Sequence, residues 1–180
     1  MISESLGSRW IRGAKAFIYG PSSLSLLLWI ITFNISFADT LCGPVIPYML
    51  REFLVREAMV VAMLGYLQSV FNLVNTITKI PGSIMADKIA RTSMILFSLS
   101  IFPINFVLIL FATNSLWILF SYIFLGIFMG LFMPAIKALI ADLTQRGMRA
   151  TAFAIFNLSW ITGQIVGPII GGYLADNLSL

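Results

Sequence analysis

The sequence contains no histidine, a single cysteine and few charged residues, and each shortage excludes a kind of protein. Without histidine, the chain lacks the commonest metal ligand and the usual proton carrier near neutral pH. Its one cysteine, Cys42, cannot form a disulfide within the chain. We therefore expect no metal site and no cofactor. The sequence also shows no paired nucleophile and base and no phosphate-binding loop, so we do not expect an enzyme.

Hydrophobic residues, in contrast, make up 59% of the 180 residues, and charged residues only 10%. Soluble domains carry roughly 25% charged residues, so this chain could not cover a water-exposed surface. Five apolar runs are longer than the ~20 residues that cross the hydrocarbon core of a bilayer. They lie near residues 24–48, 58–86, 93–113, 115–141 and 150–175. The sequence therefore predicts an all-α membrane protein with five spans, numbered 1 to 5 in chain order.

Basic residues flank these spans unequally and predict the topology. Those before span 1, after span 2 and between spans 4 and 5 are Arg9, Arg12, Lys15, Lys88, Arg91, Arg146 and Arg149, whereas the opposite connections hold Arg51 and Arg56. Cytoplasmic loops are enriched in Lys and Arg. We therefore expect a multi-pass protein of the cell membrane with a cytoplasmic N-terminal segment, residues 1–23, and an external C-terminus. Because these residues adjoin the spans, we do not expect a nucleic acid partner.

Two spans carry rows of polar residues. The row in span 1 is Thr32, Ser36, Asp39 and Gly43, and the row in span 2 is Gln68, Asn72, Asn75 and Lys79. Spacings of 4, 3 and 4 place the members of each row on one helical face. The face in span 2 must line a protein interior or a water-filled cavity, because lipid cannot satisfy it. Hydrogen bonding to a neighbouring helix is the alternative, but Lys79 favours the cavity.

Asp39 is the only acidic residue inside any of the five spans. A charged carboxylate at that depth costs roughly 2.5–3.5 kcal/mol on insertion scales. Either a partner offsets this cost or the group is protonated. Two interpretations stay open: Asp39 takes up a proton or cation during function, or it only hydrogen-bonds a polar neighbour.

Where span 2 ends, residues 83–91 read S-I-M-A-D-K-I-A-R. This string resembles the G-x-L-A-D-R-x-G-R signature of the major facilitator superfamily, which lies in the loop between its second and third membrane helices. Ala86, Asp87, Lys88 and Arg91 match in kind, whereas Ser83 stands where the family has glycine. The resemblance implies a gating loop made by Ser83, Asp87, Lys88 and Arg91. Within it, Asp87 would be the hinge of a cytoplasmic gate, with its carboxylate set against Arg91.

Span 5 carries a second motif, G-Q-I-V-G-P-I-I-G-G, at residues 163–172. Glycines on a four-residue repeat make a flat strip for close helix packing, and a proline among them bends the helix. The predicted helix-packing motif is Gly163, Gly167, Pro168, Gly171 and Gly172. It resembles the pattern on the fifth helix of the same superfamily, most typically of its drug and proton antiporters. Those antiporters usually carry arginine on helix 4, where this chain has Tyr122.

The sequence also contains an internal repeat. Residues 81–87, PGSIMAD, align with residues 170–176, IGGYLAD, at an offset of 89. We therefore predict a first three-helix repeat at residues 24–112 and a second at residues 113–180, truncated after its second helix. Because three is odd, the copies must lie in opposite orientations, as in the 3+3 inverted repeats of transporters. The expected fold is thus a six-helix N-terminal domain of major facilitator type without its last helix.

The resemblance implies the N-terminal part of a secondary active transporter that moves a small molecule by alternating access, and specifically proton-coupled efflux. Implied partners are the bilayer, a small-molecule substrate, a proton or other coupling ion, and a missing C-terminal half or partner chain. Asp39 would be the coupling residue. The implied substrate cavity comprises Thr32, Ser36, Gln68, Asn72, Asn75, Lys79, Tyr122, Asn157, Trp160 and Gln164. Two alternatives stay open: sugar or metabolite uptake, and a truncated, non-transporting membrane protein that associates with a partner.

Overall fold

The computed structural model describes residues 22–54 and 57–177, and all regular secondary structure in these ranges is helical. In chain order the helices are α1 Ser22–Leu41, α2 Val45–Phe53, α3 Glu57–Lys88, α4 Arg91–Leu110, α5 Ser115–Leu143, a 3-10 helix Arg146–Met148, and α6 Arg149–Asn177. The all-α fold class is confirmed. Most of the predicted N-terminal segment, residues 1–21, lies outside the described residues.

Five stretches of the described chain are long and apolar enough to cross a membrane. They are Leu26–Phe53, Met59–Lys88, Arg91–Leu110, Ser115–Leu143 and Arg146–Asn177. The five predicted spans are confirmed, with ends that differ by a few residues because several helices continue into polar sequence.

The first span is interrupted, although the sequence predicted a single span over residues 24–48. Helix α1 ends at Leu41, and α2 begins at Val45 after a turn in which the Gly43 amide donates to the Thr40 carbonyl at 3.2 Å. Pro44 has no amide hydrogen to continue the helix ladder. The prediction that Gly43 shares a face of one helix with Asp39 is therefore wrong.

Helix α3 is 32 residues long and runs through the segment that was predicted to be a loop. At 1.5 Å per residue it measures about 48 Å, well beyond the ~30 Å hydrocarbon core. Pro81 lies inside it without ending it. Asp87 and Lys88 consequently form the last turn of α3, and only Ile89 and Ala90 connect it to α4. The loop assignment is thus corrected: the turn is two residues long.

The contacts divide the chain into two compact units, each described by itself. The first unit, residues 1–46 and 140–180, contains α1, α6 and the last turn of α5. The second unit, residues 47–139, contains α3, α4 and most of α2 and α5. These two units do not coincide with the predicted repeats, residues 24–112 and 113–180. The repeats were inferred from sequence similarity, which the grouping of contacts does not test, and they stay a prediction.

In the first unit, α6 packs against α1 along its glycines. A Cβ atom built on Gly163 would lie 2.8 Å from the Phe33 carbonyl oxygen. One built on Gly167 would overlap the Thr40 hydroxyl, and one on Gly171 the Leu41 carbonyl. Only residues without a side chain fit there, so the α1 backbone lies directly on the glycine strip.

In the second unit, α5 lies between its two neighbours. Its glycines face α3: a Cβ atom on Gly130 would be 2.7 Å from the Thr78 Cβ, and one on Gly82 of α3 would be 2.5 Å from the Gly130 carbonyl oxygen. Its aromatic side faces α4, where the rings of Phe102 and Phe128 are 4.6 Å apart. The α3 contact is therefore backbone to backbone, and the α4 contact is side chain to side chain.

Candidate functional site

The hydroxyl side chains of α1 are used to bind α6. Thr32 and Ser36 are both fully buried. The Thr32 hydroxyl lies 3.0 Å from that of Ser159 on α6, and the Ser36 hydroxyl donates to the Trp160 carbonyl at 2.7 Å. Hydroxyls with these partners and no exposed surface cannot line a cavity. The cavity role predicted for Thr32 and Ser36 is therefore corrected to helix packing.

Asp39 lies on the same helix but beside this interface. The Thr40 hydroxyl reaches the Gly163 carbonyl of α6 at 3.2 Å, and successive residues of an α-helix are turned by about 100°. Asp39, seven residues after Thr32, therefore lies toward one edge of the face that packs on α6. It is half-buried, and the structure records no hydrogen bond or ion pair for its carboxylate within residues 22–54 and 57–177. The second interpretation of Asp39 was that it only hydrogen-bonds a polar neighbour. No such neighbour is found in those ranges.

The polar row of α3 flanks the side that packs on α5. Phe71, Val74 and Thr78 meet the α5 glycines. Beside them, Gln68, Asn72 and Lys79 are exposed, and Asn75 is half-buried. The Asn75 side-chain oxygen is fully covered and has no hydrogen-bond partner among the described residues. The second row therefore differs from the first: three of its four side chains are exposed, whereas Thr32 and Ser36 of the first row are buried.

The remaining predicted cavity residues are distributed over both units. On α6, Asn157 and Gln164 are exposed and Trp160 is half-buried. Their spacing of 3 and 4 puts them on one side of the helix, next to the glycine strip. Tyr122 is half-buried on α5. Each unit thus carries exposed polar groups on a helix that is packed through glycine.

The predicted gating loop comprised Ser83, Asp87, Lys88 and Arg91. In the structure, Arg91 begins α4 and donates from Nη1 to the Ala138 carbonyl of α5. The Ser83 hydroxyl donates to the Lys79 carbonyl of its own helix at 2.8 Å. Asp87 and Lys88 are exposed, and the part of the chain that the structure describes offers Asp87 no hydrogen bond or ion pair. The predicted Asp87–Arg91 contact is thus absent there. Arg91 fixes the start of α4 against α5.

Two polar residues of the second unit had been given no role. Asn105 on α4 and Ser121 on α5 are buried, and each has a side-chain oxygen without a hydrogen-bond partner in the described chain. The available signal was the one asparagine of the uncharged third span. Spacing rules did not detect it because a single residue makes no row.

Comparison with known proteins agrees with the motifs and the helices. The family profile described as Major Facilitator Superfamily matches residues 28–180. Multidrug resistance protein 2 of Bacillus subtilis is 31% identical over 112 residues, which is 62% of this chain and 28% of the relative. Quinolone resistance protein NorA of Staphylococcus aureus is 28% identical over 149 residues, which is 83% of this chain and 38% of the relative.

The chain thus spans between about a quarter and two fifths of the length of these relatives. No solved structure matches it. The family match nevertheless covers all five spans except for two residues at the start of the first. With its two motifs, its five apolar helices and this match, the chain belongs to the Major Facilitator Superfamily.

Proposed function

We propose that the chain is the N-terminal part of a secondary active transporter that exports small organic molecules by alternating access. The observation that carries this proposal is the open polar row of α3. Gln68, Asn72 and Lys79 are exposed along a membrane-spanning helix. Polar and charged groups at this depth face water or protein and mark substrate paths. The relatives named for multidrug and quinolone resistance support export of organic compounds.

In this proposal each unit carries its own set of polar side chains that can contact substrate, here called its polar wall. In the second unit the wall is the α3 row with Tyr122, and in the first it is Asn157, Trp160 and Gln164 of α6. The buried and unpartnered oxygen of Asn75 would receive its hydrogen bond from substrate, from water or from a segment beyond this chain. Asp39 would couple transport to a proton. Thr32 and Ser36 have no part in the wall, because they hold α1 on α6.

A substrate path needs walls that this chain does not contain. The chain covers at most 38% of the relatives described above, and a row of polar groups open on one helix cannot enclose a substrate. We therefore propose that a C-terminal half, on the same or another chain, covers the α3 row in the cell membrane. The basic residues beside the spans support a cytoplasmic N-terminus.

Reconstitution tests this proposal. The chain would be expressed alone and joined to the C-terminal half of NorA, and export of a fluorescent quinolone from cells would be measured. We expect export only from the joined protein, and a loss of export on Asn72→Leu but not on Ile77→Leu. Ile77 is exposed on α3 outside the polar row.

Other outcomes distinguish the alternatives. Accumulation of a sugar or metabolite instead of export would favour an uptake transporter. A joined protein that inserts but transports nothing, while the chain alone changes the activity of intact NorA, would favour a non-transporting partner.

For the gate, we expect Asp87→Asn to lower transport by the joined protein roughly tenfold or more while membrane insertion stays normal. Asp87 is exposed at the end of α3, so its charge has little effect on folding. A charge-assisted hydrogen bond to the other half in one transport state would contribute ~1.5–3 kcal/mol. The matched control is Asp176→Asn, the corresponding residue of the second repeat, which is also exposed. Equal transport by wild type and Asp87→Asn would remove the gate role.

A further inference from the structure

The α4–α5 hairpin contains two buried polar atoms that no described residue satisfies. They are the side-chain oxygen of Asn105 and the hydroxyl of Ser121. Asn105 is 4% exposed and Ser121 is 0% exposed, and both belong to the second unit. A buried polar group without a hydrogen bond costs about 1–3 kcal/mol. Native interiors therefore keep few such groups unless water or a ligand binds them.

The two atoms lie at the same depth in the hairpin. Helix α4 ends at Leu110 and α5 begins at Ser115, so the two helices run antiparallel from a short loop. Asn105 is five residues before the end of α4, and Ser121 is six residues after the start of α5. At a rise of 1.5 Å per residue these positions are about 8 and 9 Å from the closed end of the hairpin. They are therefore level to within about 2 Å.

Both side chains also point into the same interface. The ring of Phe102 on α4 lies 4.6 Å from that of Phe128 on α5, which fixes the faces that meet. Asn105 follows Phe102 by three residues and Ser121 precedes Phe128 by seven, and both spacings stay on one helical face. Packed helix axes are about 8–10 Å apart. Two short side chains that are level across this distance leave a gap and do not bond each other directly.

We propose that Asn105 and Ser121 form a binding site for one water molecule between α4 and α5. The water donates one hydrogen to the Asn105 oxygen and shares a hydrogen bond with the Ser121 hydroxyl. Both side chains are neutral, so the site suits a neutral donor and acceptor and not an ion. A buried serine can find a partner within its own helix: the fully buried Ser98 on α4 donates to the Ile95 carbonyl at 2.8 Å. The missing partner of Ser121 is therefore not a consequence of burial alone.

A bridging water gives this end of the hairpin a contact that differs from those elsewhere in the chain. The α1–α6 hydroxyls bond directly to the opposite helix at 2.7 to 3.2 Å, which fixes one register of the two helices. A water-mediated bond is nearly as favourable as a direct one, and it can follow small relative shifts of the helices because the water moves with them. The α4–α5 contact is therefore the more adaptable of the two.

A double-mutant cycle on the purified chain in detergent tests this site. We expect Asn105→Leu and Ser121→Ala each to lower the melting temperature by roughly 2–4 °C. Each change removes the water and leaves the opposite atom buried without a partner. The double variant should melt no lower than either single variant, because it leaves no polar atom behind. As the matched control, Ser98→Ala and Asn105→Leu should have additive effects.

Additive effects of Asn105→Leu and Ser121→Ala, or a higher melting temperature for either single variant, would overturn the shared water. If a variant does not fold, hydroxyl-radical footprinting of the wild-type chain decides, since radicals formed from bound water label adjacent buried side chains. Ile118, three residues before Ser121, should be labelled, whereas Ile136 on the same helix should not. Both are fully buried, so equal protection of the two would also overturn the proposal.

Discussion

Replacing Gly167 by leucine is expected to unfold the α1–α6 contact and to lower the melting temperature of the chain by roughly 2–12 °C. A Cβ atom at this position would overlap the Thr40 hydroxyl and lie 2.9 Å from the Phe37 carbonyl oxygen. Overpacking of this kind costs ~1–3 kcal/mol, or more where backbone must move. For a chain of this length each kcal/mol shifts the melting temperature by roughly 2–4 °C. The displaced helix would also lose the Thr40 bond to Gly163.

Gly172→Leu is the matched control for this change. It introduces the same side chain five residues further along α6, where a Cβ atom would have no neighbour within 4 Å. Thermal unfolding of both variants in detergent, followed by circular dichroism, measures the difference. Equal melting temperatures for the Gly167 and Gly172 variants would show that the strip faces lipid and not α1.

The sequence predicted this strip but not its partner. A four-residue glycine repeat specifies a flat surface on one helix, and nothing in it says which helix lies there. The same limit explains the error at Thr32 and Ser36. Their spacing predicted a polar face, but a short hydroxyl beside a glycine strip is close enough to bond the backbone of the opposite helix, as Ser36 does with Trp160.

The longer side chains of the second row behave differently, although their spacing is the same. Gln68, Asn72 and Lys79 flank the close contact of α3 with α5 and stay exposed. Amide and ammonium groups on long stems do not fit between two backbones in contact. Side-chain length, and not spacing alone, therefore separates a packing row from an open one.

Helix ends were the other part that the sequence could not predict. An apolar run has the same composition whether it is one helix or two, so the turn at residues 42–44 was missed. The continuation of α3 to Lys88 was missed because the apolar run ends near residue 86 and the family signature was assigned to a loop. A proline removes a single ladder hydrogen bond, and packing on both sides can hold the helix together.

The inverted repeat stays a prediction, and one pair of contacts follows the pattern that it would produce. At the offset of 89, Gly82 corresponds to Gly171, and Leu41 corresponds to Gly130. A Cβ atom on Gly82 would meet the Gly130 carbonyl, and one on Gly171 would meet the Leu41 carbonyl. The α3–α5 and α1–α6 pairs thus use equivalent residues for equivalent contacts. Such an agreement is expected if residues 24–112 and 113–180 share one three-helix plan.

The other large effect is expected at Asp39. In the joined protein, Asp39→Asn should abolish substrate accumulation driven by a pH gradient in inverted membrane vesicles. The carboxyl group is half-buried within a span and has no described hydrogen-bond partner. A charged form costs roughly 2.5–3.5 kcal/mol in such a place, so proton binding and release there can follow the opening of the cavity to either side. Asparagine resembles the protonated acid in shape but cannot release a proton.

The variant should therefore retain exchange of substrate for substrate at near the wild-type rate, since exchange needs no net proton movement. Glu52→Gln is the control, because it removes an exposed carboxylate from α2, beyond the turn that ends α1, and should change neither activity. If the Asp39→Asn protein still concentrates substrate when a pH gradient is imposed, the aspartate serves as a hydrogen-bonding group and another residue carries the proton. If wild type and variant both fail to exchange substrate, the transport proposal itself is at fault. Loss of accumulation with retained exchange is the one combination that assigns the coupling proton to Asp39.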